Sequence, residues 1–281
     1  MLLTQSSRRT ADRRVSFRHS AGVFGTTRGG RARYKVVVTT NPYAMTDNPP
    51  PETAAAKLTE NKRLRYFELC LVLLVALATP LLSSAYVLAR GPSSAGQTSS
   101  FRWISGFVRE ILALALLGYV LGRRGRRIRD LGLRWSVRDC GVGLLVMVVA
   151  YIAYMAGGML LQAIHYGVAG NFATWNSSRI FFAHPGLLAV PYVLVTPFFE
   201  ELIVRAYLMT EILELTGSTA LAIGVSVLTQ AAYHLYYGWI GAAALAFMFL
   251  VFALYYARYR RALPVIFAHG VYDLLALIRL W

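Results

Sequence analysis

Cysteine is almost missing from this chain. Cys70 and Cys140 are the only two in 281 residues, and they form no C-x-x-C pair. A disulfide framework and a cysteine-held metal site are therefore not expected. Acids are scarce too: 13 Asp and Glu stand against 29 Lys and Arg, a net charge of +16. Charge of either sign amounts to 15% of the chain, too little to clothe a water-soluble surface. The H-E-x-x-H pattern of helical zinc proteases is absent, and no serine or cysteine sits in a nucleophile motif. No apolar run of signal-peptide length lies near the N-terminus. No inverted repeat of the kind many carriers show is visible.

What is present is apolar residue in bulk. The chain is 57% hydrophobic with mean hydropathy +0.49, the composition of a polytopic helical membrane protein. We expect an all-α fold of about seven transmembrane helices, near residues 66–89, 104–121, 141–164, 181–213, 218–236, 240–256 and 263–280. The chain divides into a disordered basic region (1–60), N-terminal membrane helices (61–180) and a C-terminal membrane core (181–281). Residues 1–44 hold nine Lys or Arg against Asp12 alone. Met45 reads as the natural start, with 1–44 as an upstream extension. Gly157-Gly158 invites a close helix contact, and Asn176-Ser177-Ser178 fits a glycosylation triplet. Arg109-Glu110 reads as an interfacial or interhelical pair rather than as chemistry.

The basic excess gathers in short connections, above all Gly122–Trp135 and Arg258–Arg261. That pattern marks topology and anionic-lipid contact, not nucleic-acid binding. It puts the N-terminus and both connections in the cytoplasm, which requires 181–213 to cross once. Pro191 and Pro197 permit a break within that long segment.

The segment carries Glu200-Glu201-Leu202-Ile203-Val204-Arg205. Ionisable groups at membrane depth are costly and usually face a protein interior or a wet cavity. On a helix Glu201 and Arg205 share a face and can pair. Glu200 points about 100° away and is left free to act as a base. The plainer alternative is that all three pair with polar groups on neighbouring helices. His234, and His269 with Asp273 four residues on, are further polar residues in apolar helices. These types suit water activation: a carboxylate base, a histidine that holds water or passes the proton to a leaving amine, and a second histidine, oriented by Asp273, for a developing oxyanion. Glu200, His234 and His269 also suit a metal, since ligands can come from separate helices. We rank direct water activation first and expect no cofactor and no metal. At ~1.5 Å per residue, Glu200 and His234 lie somewhat past mid-membrane and His269 nearer the cytoplasm. Tilt or unwinding near Pro197 is needed to close that gap.

Glu-Glu-x-x-x-Arg at 200–205, His234 near the end of the next span and His-x-x-x-Asp at 269–273 together resemble the CPBP family of intramembrane proteases. That family includes the type II CAAX prenyl endopeptidases and the Abi bacteriocin-processing and immunity proteins. Asp130-Leu-Gly-Leu-Arg also looks like that family. The resemblance implies a helical membrane endopeptidase with a cavity open to the cytoplasmic side. It implies Glu200 as the water-activating glutamate, His234 beside it, and His269 with Asp273 as the oxyanion hole. Gln230 departs from the family, which usually has an aromatic there; Val204, Ala206 and Asp273 also depart. The expected partners are a peptide or protein substrate, membrane-tethered or not, and the bilayer, in a bacterial cell membrane. A catalytically inactive scaffold or immunity-like binding protein is the alternative, and a proton-coupled transporter is a third reading.

Overall fold

The protein is described by a computed structural model covering residues 51–91, 100–166, 187 and 189–278, with side chains for 62–91, 101–165, 187 and 189–278. The expectations for residues 1–44, Met45, the Asn176 triplet, the start of the 181–213 segment and the end of the last span lie outside the described residues. Among the described residues the fold is all-α. The helices are α1 (Pro51–Arg90), α2 (Ser100–Arg123), α3 (Val137–Tyr166), α4 (Ala189–Glu200), α5 (Met209–Thr216), α6 (Thr219–Tyr233), α7 (Gly238–Tyr259) and α8 (Leu263–Ile278). A π-helical segment, Glu201–Leu208, joins α4 to α5 without a break. Residues 51–60, expected to be disordered, are the first turns of α1. Pro51 suits a first helical position, and the Ala54-Ala55-Ala56 run that follows favours helix.

Four helical stretches are long and apolar enough to cross a membrane: Lys62–Arg90, Phe101–Arg123, Val137–His165 and Leu235–Tyr259. Thr219–Tyr233 and Leu263–Ile278 are apolar but shorter. Large apolar side chains such as Leu82, Leu145, Ile152 and Leu228 stand exposed on the outside of the bundle, as lipid-facing residues do. This is an all-α membrane protein.

Its central element is the α4–π–α5 rod. Every residue from Phe199 to Glu211 is buried, so the middle of the rod is enclosed on all sides. Its apolar side chains Leu202, Ile203, Ala206 and Tyr207 share one core with Leu69, Val72 and Ala76 of α1 and Ala113 and Leu117 of α2. α3 packs on α7 and α8. Close approach there depends on glycine: a Cβ on Gly157 would run into the Phe247 ring, and one on Gly143 would come within 2.8 Å of the Pro264 carbonyl oxygen. Lipid tails are as apolar as leucine, so such packing, rather than exclusion of water, holds these helices together.

The basic ends of the helices are tied to each other. Arg65 of α1 reaches Glu211 (2.9 Å) and Glu214 (2.7 Å), and Arg124 reaches Glu211 at 2.8 Å. Arg123 and Arg124 both contact Glu68. Burial works against ionisation of Glu214, but the Arg126 and Arg65 guanidiniums hold its carboxyl below the usual range. The loop after α2 docks on the α7–α8 corner: Tyr256 donates to the Leu131 carbonyl at 3.0 Å, and the Ala262 amide to Gly132 O at 3.1 Å.

Gly132 has φ +86°, and a Cβ there would strike the Arg260 carbonyl oxygen. Gly132→Ala therefore meets backbone strain and a backbone clash together, and should cost on the order of 2–4 kcal/mol. Gly141, in α3, has open space around it. A thermal unfolding series in detergent should show a clear loss for Gly132→Ala and none for Gly141→Ala.

Candidate active site

The site is built where the rod changes helical pitch. Pro197 lacks an amide hydrogen, so one rung of the α-helical ladder is missing just before Glu200. Wider π-type turns follow from Glu201 to Leu208. Such turns are rare and recur at functional sites. Here the adjacent carboxylates Glu200 and Glu201 serve two different sets of partners.

Glu200 is held by donors from α6. Tyr233 donates its hydroxyl to Glu200 Oε2 at 2.7 Å, and Gln230 donates from Nε2 to the same oxygen at 2.9 Å. Glu200 is thus not the free carboxylate expected from helical spacing; it is oriented by two hydrogen bonds. His234 caps the C-terminal end of α6. Its Nδ1 lies 2.8 Å from the Gln230 carbonyl oxygen. A carbonyl only accepts, so Nδ1 carries the proton and Nε2 keeps its lone pair. Phe249 and Tyr237 bracket the ring, with centroids at 5.0 and 6.0 Å.

Glu201 faces the other way. Its Oε1 lies 2.9 Å from His269 Nδ1 and accepts from Gln230 Nε2 at 3.3 Å. Its Oε2 pairs with Arg205 Nε at 3.5 Å, as the i, i+4 spacing predicts. Arg205 is fully buried, donates to Ser226 at 2.7 Å and lies over the Phe249 ring. Asp273 Oδ2 is 3.5 Å from His269 Nε2. One chain of contacts therefore runs from Asp273 through His269, Glu201 and Gln230 to Glu200. The unwinding expected near Pro197 is present. What it joins to His269 is Glu201, with Gln230 bridging the two glutamates.

A cavity of about 540 Å³ opens beside Glu200. Its wall includes Glu200, His234, Tyr233, Arg109, Trp103 and Tyr192. His269 and Asp273 are not among the residues that line it. The six residues singled out from sequence thus fall into two joined groups, with only Glu200 and His234 on the cavity. Arg109 and Glu110 pair at 3.3 Å within α2 rather than between helices, and they sit close to the site. Glu110 is fully buried and accepts from Thr196, and Arg109 lies over the Phe199 ring. Tyr233 and Gln230 went unrecognised as partners of Glu200. Gln230 read only as a departure from a familiar pattern, although its amide is what links the two glutamates.

The cavity lies towards one end of the bundle. Its walls are the C-terminal half of α1, the N-terminal part of α2 and the end of α6. The arginine cluster joins the opposite ends of α1 and α2.

Among the described residues no three carboxylate, imidazole or thiol groups gather as ligands. His269 turns its Nδ1 to Glu201 and its Nε2 towards Asp273 and is not among the residues lining the cavity, so it does not join Glu200 and His234 there.

Removing the Tyr233 hydroxyl tests the carboxylate's support. A hydrogen bond to a charged group is worth about 1.5–3 kcal/mol. Tyr233→Phe should lower turnover by roughly tenfold or more, with thermal stability close to wild type. An equal loss in both would mark the tyrosine as purely structural.

Residues 182–275 match the family model described as type II CAAX prenyl endopeptidase Rce1-like. No curated protein and no solved structure matches the chain. The matched segment contains Glu200, His234, His269 and Asp273 as well as the π-helical turn that separates the two glutamates. The chain is a membrane protein whose C-terminal part, residues 182–275, is similar to the type II CAAX prenyl endopeptidase Rce1-like family, a family of proteases.

Proposed function

We propose that the protein is an intramembrane endopeptidase in which Glu200 activates water against a peptide carbonyl. The observation that carries this reading is Glu200 on the wall of the cavity beside His234, with its carboxylate fixed by Tyr233 and Gln230. Water held between Glu200 and His234 Nε2 gives a proton to the Glu200 carboxylate as its oxygen adds to the carbonyl carbon. The proton then passes to the departing amine as the C–N bond breaks, leaving a carboxylic acid and an amine. Arg109, one of two arginines on the same wall with Arg102, is the group assigned to the developing oxyanion. Glu201, Arg205, His269 and Asp273 support the base through Gln230. That assigns His269 and Asp273 to positioning, where the family resemblance implied an oxyanion hole.

The substrate is a peptide or protein segment held at the bilayer. Leu77, Trp103, Tyr192 and Phe199 give the cavity an apolar wall suited to an anchor or a large apolar side chain. Comparative proteomics of a deletion strain and a Glu200→Gln strain tests the reading. Both should accumulate the same membrane protein with an uncut terminus. A Glu200→Gln strain that processes every protein as wild type does would overturn it. An unchanged phenotype on alanine substitution of both Glu200 and His234 would favour a catalytically silent scaffold instead.

A further inference from the structure

A second carboxylate is buried behind Glu200, and the proposed reaction does not use it. Glu110 of α2 is fully buried. Thr196 Oγ1 lies 3.1 and 3.2 Å from its two carboxyl oxygens. Thr196 precedes Glu200 by four residues, so it sits one turn back on the same side of α4. Glu110 is thereby docked just behind Glu200, close enough to feel its charge. The helices meet tightly at this level: a Cβ on Gly106 would come within 2.7 Å of the Tyr192 ring. Two carboxylates in one apolar socket repel, and a buried anion without a counterion is costly. Such an arrangement needs a cation, and Arg109 is the one beside it.

Arg109 reaches Glu110 by an indirect route. Neighbours in a helix point about 100° apart and do not face each other. The long Arg109 side chain nonetheless brings Nη2 to 3.3 Å from Glu110 Oε1, with its guanidinium 5.4 Å from the centre of the Phe199 ring. Phe199 is the residue next to Glu200, and Arg109 and Glu200 line the same cavity. Among the described residues the carboxylate in ion-pair range of Arg109 is Glu110, not Glu200. The groups that do bond Glu200, Tyr233 and Gln230, are neutral. That distinction matters for a base. A carboxylate in a charge-assisted pair with a guanidinium is held in its ionised form and takes up a proton poorly.

We infer that Glu110 is a positioning residue that holds Arg109 off the Glu200 carboxylate. It keeps the cation on the cavity wall for the developing oxyanion and leaves the base free of a salt bridge. Thr196 ties the same carboxylate to the rod, so Arg109 is set in register with Glu200. The inference rests on the peptidase reading above. It gives Glu110 a task apart from holding helices together. Without its charge, the carboxylate left on that wall is Glu200. Arg109 then turns to Glu200, and one substitution both withdraws the oxyanion's cation and silences the base.

The order of turnover in a small set of variants tests this, measured on the protein that the proteomic comparison returns. Removing one oxyanion donor costs about a hundredfold or more in kcat, which is the loss expected for Arg109→Gln. Glu110→Gln should be at least tenfold slower still, with KM within threefold of wild type. Its amide oxygen still accepts from Thr196, so the socket keeps its shape. Adding Arg109→Gln to Glu110→Gln should raise turnover again, to the level of Arg109→Gln alone. Glu110→Asp keeps the charge and should lose no more than tenfold. A double variant no faster than Glu110→Gln, or a Glu110→Gln no slower than Arg109→Gln, overturns the inference, because a purely structural glutamate gives losses that only accumulate. Thr196→Val supplies a reading that does not require Glu110→Gln to fold. It should slow turnover three- to tenfold in the wild-type background and less than twofold in the Arg109→Gln background; equal losses in both overturn the inference. Glu200→Gln is assayed alongside. If it stays active, the peptidase reading falls and the inference with it; if it is inactive and the order is absent, only the role of Glu110 falls.

Discussion

Glu200→Gln should lower turnover by at least about a thousandfold, while the protein still inserts, purifies as a single species and melts near the wild-type temperature. General-base catalysis contributes typically ~10²–10⁴ in rate. Gln has nearly the shape of Glu and can still accept from Tyr233 and Gln230 through its carbonyl oxygen, so the local hydrogen bonds survive in form. What disappears is the ability to take a proton from water. The purified variant, assayed on whatever protein the proteomic comparison returns, gives the number. Residual activity within tenfold of wild type would remove Glu200 from the role of base. His234→Gln should fall less far, because its ring supports the water and the proton transfer without being the base. The ordering of the two variants is thus itself a check on the assignment.

Arg205→Ala should be the most damaging change to the fold. The guanidinium is fully buried against Glu201, Ser226 and the Phe249 ring. Its loss leaves Glu201 as a buried carboxylate beside Glu200, supported only by His269 and Gln230. Breaking one side of a buried ion pair costs about 3–5 kcal/mol. Marginal stability makes that a large share of the total. The expected readout is loss of a monodisperse peak in detergent and a sharply reduced membrane yield. Adding Glu201→Gln to Arg205→Ala removes the uncompensated charge and should restore part of the yield without restoring turnover. If the single variant is as stable as wild type, the pair is not what holds the rod in its socket.

Much of this architecture was legible in the chain. Apolar runs of membrane length, separated by Gly, Ser and Arg, mark most helix ends to within a few residues, although α1 begins well before its apolar run. Gly217 with φ +73° and Ser218 capping the Leu221 amide end one helix and start the next, as those residue types do. The Glu201–Arg205 pair followed from a four-residue spacing. Gly157 marked a close contact because no other residue permits one there.

The partners of Glu200 were not legible. Tyr233 and Gln230 are thirty or more positions away, and Gln230 occupies a place where a different residue type was expected. Helical periodicity assumed a constant turn, but the ladder widens after Pro197. The wider turn changes which way each glutamate faces.

Composition and spacing by themselves determined a membrane bundle, its arginine-marked face and the side chains able to do acid–base chemistry. Those properties are local: hydropathy, charge and the four-residue repeat need no distant partner. Only the tertiary structure decided that Glu200 and Glu201 serve different neighbours, that His269 belongs with Glu201, and that the cavity lies at the other end of α1 and α2 from the arginine cluster. Each depends on how separate helices meet around a π-helical turn, and a meeting of that kind is set by packing in three dimensions.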